Sequence, residues 1–158
     1  MRATTLPALG ARGGGWVVMQ TVLIAAVVAC AVAFSASWPA AVVAAGGLLL
    51  VLGVLLLGWA WRGLGSALTP YPAPRPDGRL AARGAYAHAR HPMYGGVVLA
   101  AAGGAILCSS WPALVAASLL APFFVLKSLR EEAWLRERVD GYAEYAARTR
   151  ARLFPFLF

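Results

Sequence analysis

Residues 40–61 read AAVVAAGGLLLVLGVLLLGWAW, a run without one charged side chain. Wound as a helix, it reaches roughly 30 Å, the thickness of a bilayer's hydrocarbon core. A surface helix of a soluble bundle needs a polar face, and this stretch has none. Three more apolar blocks flank it. Trp16–Phe34 (WVVMQTVLIAAVVACAVAF) is interrupted only by Gln20 and Thr21. A third runs from Met93 to Cys108 (MYGGVVLAAAGGAILC), and a fourth is Pro112–Leu126 (PALVAASLLAPFFVL). The last two are short for a span, but Ser109, Ser110 and Trp111 suit the membrane interface and lengthen them. Spans are therefore expected at 16–34, 40–61, 93–110 and 112–126. The expected fold class is all-α and integral to the membrane. It has about four transmembrane helices and a cytoplasmic C-terminal helical tail, all in one domain over residues 1–158.

Composition agrees. Hydrophobic residues make up 61% of the chain, against roughly 45–50% in a soluble domain. The first block is longer than a signal-peptide core and lacks a clear cleavage site, so it reads as a span. Cys30 and Cys108 fall inside apolar blocks and are expected as buried packing residues, not a disulfide or a metal pair.

Charge sets the expected orientation. The net charge is +8. Arg2 and Arg12 precede the first block, and Arg62, Arg75, Arg79, Arg83 and Arg90 lie between the second and third, opposed by Asp77. Lys127, Arg130, Arg136, Arg138, Arg148, Arg150 and Arg152 follow the fourth. The other two connections, SASWPA at 35–40 and CSSWPA at 108–113, are uncharged. The positive-inside rule then places both termini in the cytoplasm. Alternation at membrane edges explains the cations better than nucleic acid does, so no nucleic-acid partner is expected. The Ala- and Arg-rich composition suits a bacterial inner membrane. The shared SWPA is read as a common turn solution, proline opening a helix beside a capping serine, in preference to an internal repeat.

Two sizeable segments remain on the charged side, and they are expected to meet. The loop at 62–92 ends in GAYAHARHPMYGG (84–96), which holds both histidines of the chain. Its first part is rich in Pro and Gly and is expected to be irregular; from Leu80 it makes a short turn or helix that stops before Pro92. The tail from Lys127 is expected to continue helically out of the fourth block. Helical spacing puts Glu131, Leu135, Arg138, Tyr142 and Tyr145 along one side, with Glu132 off that line. Gly141 allows a bend or break. Histidine, arginine, tyrosine and glutamate gathered at a membrane surface suit a small zwitterion.

Each residue alone also has a plainer reading. Arg90 anchors a span by charge; His91 is a cap or a structural hydrogen-bonding group. Tyr86 and Tyr94 belong to an interfacial aromatic belt. Glu131 and Glu132 pair with neighbouring arginines; Tyr142 and Tyr145 pack the tail. Asp140 and Glu144 read as solvated. Phosphate-loop, dinucleotide and zinc-protease patterns are absent, and no metal is expected.

GAYAHARHPMYGG resembles the G-x-Y-x-x-x-R-H-P-x-Y signature of the isoprenylcysteine carboxyl methyltransferase family, which is grouped with small membrane methyltransferases such as the phospholipid N-methyltransferases. EEAWLRERVDGYAEYAARTRARLFP is similar to that family's tail: two glutamates, a spaced leucine, Phe-Gly, two tyrosines, Val-Pro-Arg and a final proline. The resemblance spans roughly residues 78–155. It implies S-adenosylmethionine bound in a cytoplasm-facing pocket made by the last two spans and the tail. Carried over by position, Tyr86, His91, Tyr94, Glu132, Tyr142 and Tyr145 hold or frame the cofactor, with His91 and Glu132 as direct ligands. Arg90, Glu131 and Arg152 take the catalytic places. Arg90 orients the pocket or meets the acceptor, Glu131 or His91 takes a proton, and Arg152 holds an acidic acceptor. The chain departs from the family where Val139 and Asp140 replace Phe-Gly, where Arg150, Ala151 and Arg152 replace Val-Pro-Arg, and at Ala87. The reaction implied is methyl transfer to a lipid or another lipophilic small-molecule acceptor that arrives from the bilayer. The alternative is a non-catalytic membrane scaffold or binding protein that keeps the fold.

Overall fold

The structure, a computed structural model, describes residues 6–65, 69–74 and 80–156. Arg2, Arg75, Asp77 and Arg79, which enter the charge pattern above, lie outside the described residues. Among the described residues five α-helices follow one another: α1 (Gly14–Ala33), α2 (Ala40–Leu64), α3 (Pro92–Leu107), α4 (Trp111–Arg138) and α5 (Tyr142–Arg148). A 3-10 turn, Gly84–Ala87, precedes α3. The described residues contain no strand.

The apolar blocks become helices because a helix satisfies all backbone polar groups within the segment itself, as lipid requires. Three of them, α1, α2 and α4, are long and apolar enough to cross a membrane. Val18, Val22, Leu48, Leu55, Val115 and Leu119 point outward and are more than half exposed, as lipid-facing side chains must be. Together these features make the chain an integral membrane protein. The third block is shorter than the 93–110 expected. Pro92 starts α3 at its first position, and Ser109, with φ 52, ends it within two residues of Leu107. Its 16 residues extend roughly 24 Å. Cys108, expected to be buried, is exposed at the end of this helix.

Helix α2 packs along α3, α3 along α4, and α4 along α1. Glycines bring α2 and α3 into backbone contact. A Cβ on Gly53 would stand 2.9 Å from Ala100 Cα, and one on Gly103 would stand 2.8 Å from Leu50 Cα. Gly104, by contrast, faces open space. On the other side Trp16, Leu120, Phe123 and Phe124 join α1 to α4 around a buried core that also takes Leu153 from the tail.

The two SWPA segments meet without repeating each other. Trp38 and Trp111 lie with ring centroids 4.7 Å apart. In the first, Pro39 stands just before α2; in the second, Pro112 is already inside α4 and Ser110 caps it through Ala113 N–H.

Helix α4 runs on from its apolar half into the charged tail, as the sequence leads one to expect, and stops at Arg138. Val139 is extended, and Gly141 takes a left-handed φ of 77° that an L side chain rarely adopts. The helical line from Glu131 to Tyr145 is therefore broken. Glu131 and Leu135 belong to α4, Tyr142 and Tyr145 to the separate α5, and the chain doubles back between them.

Candidate functional site

The two chemistry-bearing segments meet at the polar end of the bundle, and backbone pairing sets their register. Arg90 N–H donates to the Ala151 carbonyl at 3.0 Å, and His91 N–H to the Arg152 carbonyl at 2.7 Å. The tail passes directly over α3 because position 95 is glycine: a Cβ there would collide with the Leu153 carbonyl. The GG of HPMYGG thus divides its work, Gly96 facing α2 and Gly95 facing the tail.

Side chains complete the junction. Arg90 Nε donates to Glu132 Oε1 at 3.0 Å. Its Nη1 donates to the carbonyls of Ala146, Thr149 and Arg150 at 3.4, 2.8 and 3.2 Å. Those carbonyls close the C-terminal end of α5, where a cation is favoured. Glu132 is 1% exposed and also receives Arg152 Nη1 at 2.7 Å and Arg136 Nη2 at 3.2 Å. A buried carboxylate is tolerable only with such a full set of partners. Arg152 donates as well to Ser128 Oγ at 3.1 Å. Burial holds the Arg152 guanidinium below its ordinary range, against the pull of Glu132. Tyr145 Oη donates to the Tyr86 carbonyl at 2.7 Å, tying α5 to the 3-10 turn. Burial pushes the Tyr145 phenol up to about 12. Tyr86 and Tyr142 are raised further, by burial first and then by nearby carboxylates, so all three remain neutral donors.

Beneath this junction lies a cavity that opens to solvent, with about 810 Å³ of empty space, open solvent included. Its polar wall is Tyr86, Arg90, His91, Tyr94, Glu131, Tyr142 and Tyr145. Tyr94 Oη donates to Glu131 Oε2 at 2.6 Å. His91 stacks parallel to Tyr94 at 5.5 Å and stands between the two glutamates. Its Nδ1 is 3.7 Å from Glu131 Oε2 and its Nε2 is 3.3 Å from Glu132 Oε1. The Nε2 contact lacks hydrogen-bond geometry, which leaves that nitrogen buried and unpartnered, as is Tyr142 Oη. Native interiors rarely tolerate such orphans without a reason.

A model of the family described as phospholipid methyltransferase matches residues 41–139, more than half of the sequence. The chain belongs to the phospholipid methyltransferase family. No curated protein matches it closely enough to count as a relative. Membership indicates a membrane methyltransferase, and the family generally uses S-adenosylmethionine. The matched region of this phospholipid methyltransferase family member includes Tyr86, Arg90, His91, Tyr94, Glu131 and Glu132, and ends before Tyr142, Tyr145 and Arg152.

The structure brings seven of the nine residues singled out from sequence to the cavity wall. Glu132 and Arg152 stand behind it, in the ion-pair cluster, and do not line it. Arg138, on the expected helical line, turns away to Trp134. Asp140 and Glu144 are exposed, in keeping with their solvated reading. Sequence reasoning missed the roof, formed by Thr69, Tyr71 and Pro74, and the apolar wall of Leu64, Met93, Leu135 and Val139. The one usable signal was a lone tyrosine between prolines in TPYPAP, an extended segment that can present a ring.

Proposed function

We propose that this cavity binds S-adenosylmethionine and that the chain transfers the methyl group to a lipophilic acceptor at the cytoplasmic membrane face. The observation that carries the reading is the wall itself. Glu131, 22% exposed, is set among tyrosine rings, with the Tyr142 hydroxyl buried and unpartnered beside it. These residues fit the cofactor. Glu131 offers a carboxylate to an ammonium group. Tyr142 Oη offers a polar atom that still lacks a partner. The rings of Tyr86 and Tyr145 favour a cation.

When bound, the cofactor supplies a methyl group carried on a positively charged sulfur. The protein's part is alignment and exclusion of water. Arg90 and Arg152 are engaged with Glu132 and with backbone carbonyls, so in this reading they hold the pocket and do not clamp an acidic acceptor. Glu131 and His91 are the groups placed to receive a proton from an amine or thiol acceptor. Leu64 of α2 and Met93 of α3 give the cavity an apolar side, suited to an acceptor arriving from the bilayer.

The test is label transfer. Purified protein with methyl-labelled cofactor and a membrane lipid extract should put label into the organic phase, and Glu131→Gln should abolish the transfer. Folded protein that labels no lipid, amine or thiol would contradict the proposal, and a non-catalytic scaffold predicts that result.

A further inference from the structure

Lys127 has no part in the cavity wall, yet it is 1% exposed. It sits on α4 where the apolar stretch ends, a place from which lysines ordinarily reach out to water. This one turns inward. Its Nζ donates to Gln20 Oε1 of α1 at 2.6 Å and to the Pro70 carbonyl at 3.2 Å. The same ammonium lies 5.1 Å above the Tyr94 ring. Among the described residues no carboxylate lies within ion-pair distance of it. Burying an ammonium against a neutral amide and a carbonyl is costly, and the partners show what it secures.

Pro70 belongs to the segment 69–74, whose Thr69, Tyr71 and Pro74 roof the cavity. Prolines at 70, 72 and 74 remove three backbone donors from that segment. It is fastened through one remaining N–H, one ring and one carbonyl. On one side Ala73 N–H donates to the Arg12 carbonyl at 3.4 Å, and the Arg12 guanidinium lies 4.6 Å from the Tyr71 ring centre. On the other side the fastening is Lys127. Its charge also faces Tyr94, the residue whose hydroxyl holds Glu131.

We propose that Lys127 is a positioning residue whose buried ammonium fastens the 69–74 segment over the cavity and braces the Tyr94–Glu131 pair. Its effect on the cofactor rests on the methyltransferase reading; its hold on the segment does not.

The experiment uses Ala73, which is 2% exposed. Ala73→Cys, in a Cys30→Ala, Cys108→Ala background, is labelled with a water-soluble maleimide. Lys127→Met is compared with the parent. A Gln20→Leu, Lys127→Leu pair serves as the second variant, because replacing both partners by apolar groups leaves neither unpaired. Labelling should accelerate by about tenfold in both, the effect of losing roughly one charge-assisted hydrogen bond. S-adenosylmethionine should slow labelling of the parent and bind the variants about tenfold more weakly. Unchanged labelling in either variant, folded by thermal melting, overturns the proposal. Accelerated labelling with no protection by the cofactor supports the role of Lys127 and counts against the methyltransferase reading.

Discussion

Tyr94 Oη donates to Glu131 Oε2 at 2.6 Å, across the junction of α3 and α4. The bond joins the two halves of the site by their side chains and aims one carboxylate into the cavity. Its neighbour Glu132, one residue on, lies on the other side of His91 and is consumed by Arg90, Arg136 and Arg152. Two adjacent acids therefore have two tasks: one is available to a ligand and the other holds the fold.

Removing each acid should separate those tasks. Glu131→Gln should weaken cofactor binding by about tenfold or more while shifting the melting temperature little, because the residue is partly solvated and makes one hydrogen bond. Tyr94→Phe should weaken binding by less. Equilibrium binding and thermal melting on the same preparations check both.

Glu132→Ala should instead destabilise the protein by about 3 kcal/mol, since Arg90 and Arg152, both half-buried, would be left without their acid. Denaturant or thermal unfolding in detergent measures this. A normally stable Glu132→Ala protein would show that the cluster does not hold the tail.

Close helix approach gives a third expectation. Gly53→Val and Gly103→Val should disrupt the α2–α3 contact, because the added Cβ has no space against the facing backbone. Overpacking of this kind costs about 1–3 kcal/mol or more. Gly104→Ala faces open space and should be neutral. Melting temperatures of the three variants check the contrast.

Much of the fold was legible because the bilayer leaves few choices. An apolar run as long as residues 40–61 has to be a helix, and α1, α2 and α4 follow the blocks closely. The third helix was misjudged at its end, because Ser109 takes a left-handed turn that its residue type does not announce. Most of the site was legible through the R-H-P and Glu-Glu pairs. The direction each side chain faces was not: Glu131 and Glu132 are chemically identical, and only the break at Gly141 and the return of the tail decide which of them is walled off. The roof at 69–74 was announced by nothing beyond a tyrosine between prolines, since its fastening depends on Lys127, more than fifty residues away.

Tyr145 carries a pH expectation. Its phenol is raised from the ordinary 10 to about 12 in the folded chain, by burial first. Below pH 10 both folded and unfolded forms hold the proton, and nothing changes. Between about 10 and 12 the unfolded chain releases a proton that the folded chain retains, so stability falls as pH rises. Tyr145→Phe should lose about 1 kcal/mol with its bond to the Tyr86 carbonyl. It should also show a flatter decline across that window in unfolding measured from pH 8 to 12.

The most direct test of the central claim is calorimetric titration of S-adenosylmethionine into the purified, folded protein, alongside His91→Ala and Glu131→Gln. Saturable binding at one site, sharply weakened in both variants, is the result the account predicts. A folded wild-type protein that takes up no cofactor, or variants that bind as well as wild type, would contradict it.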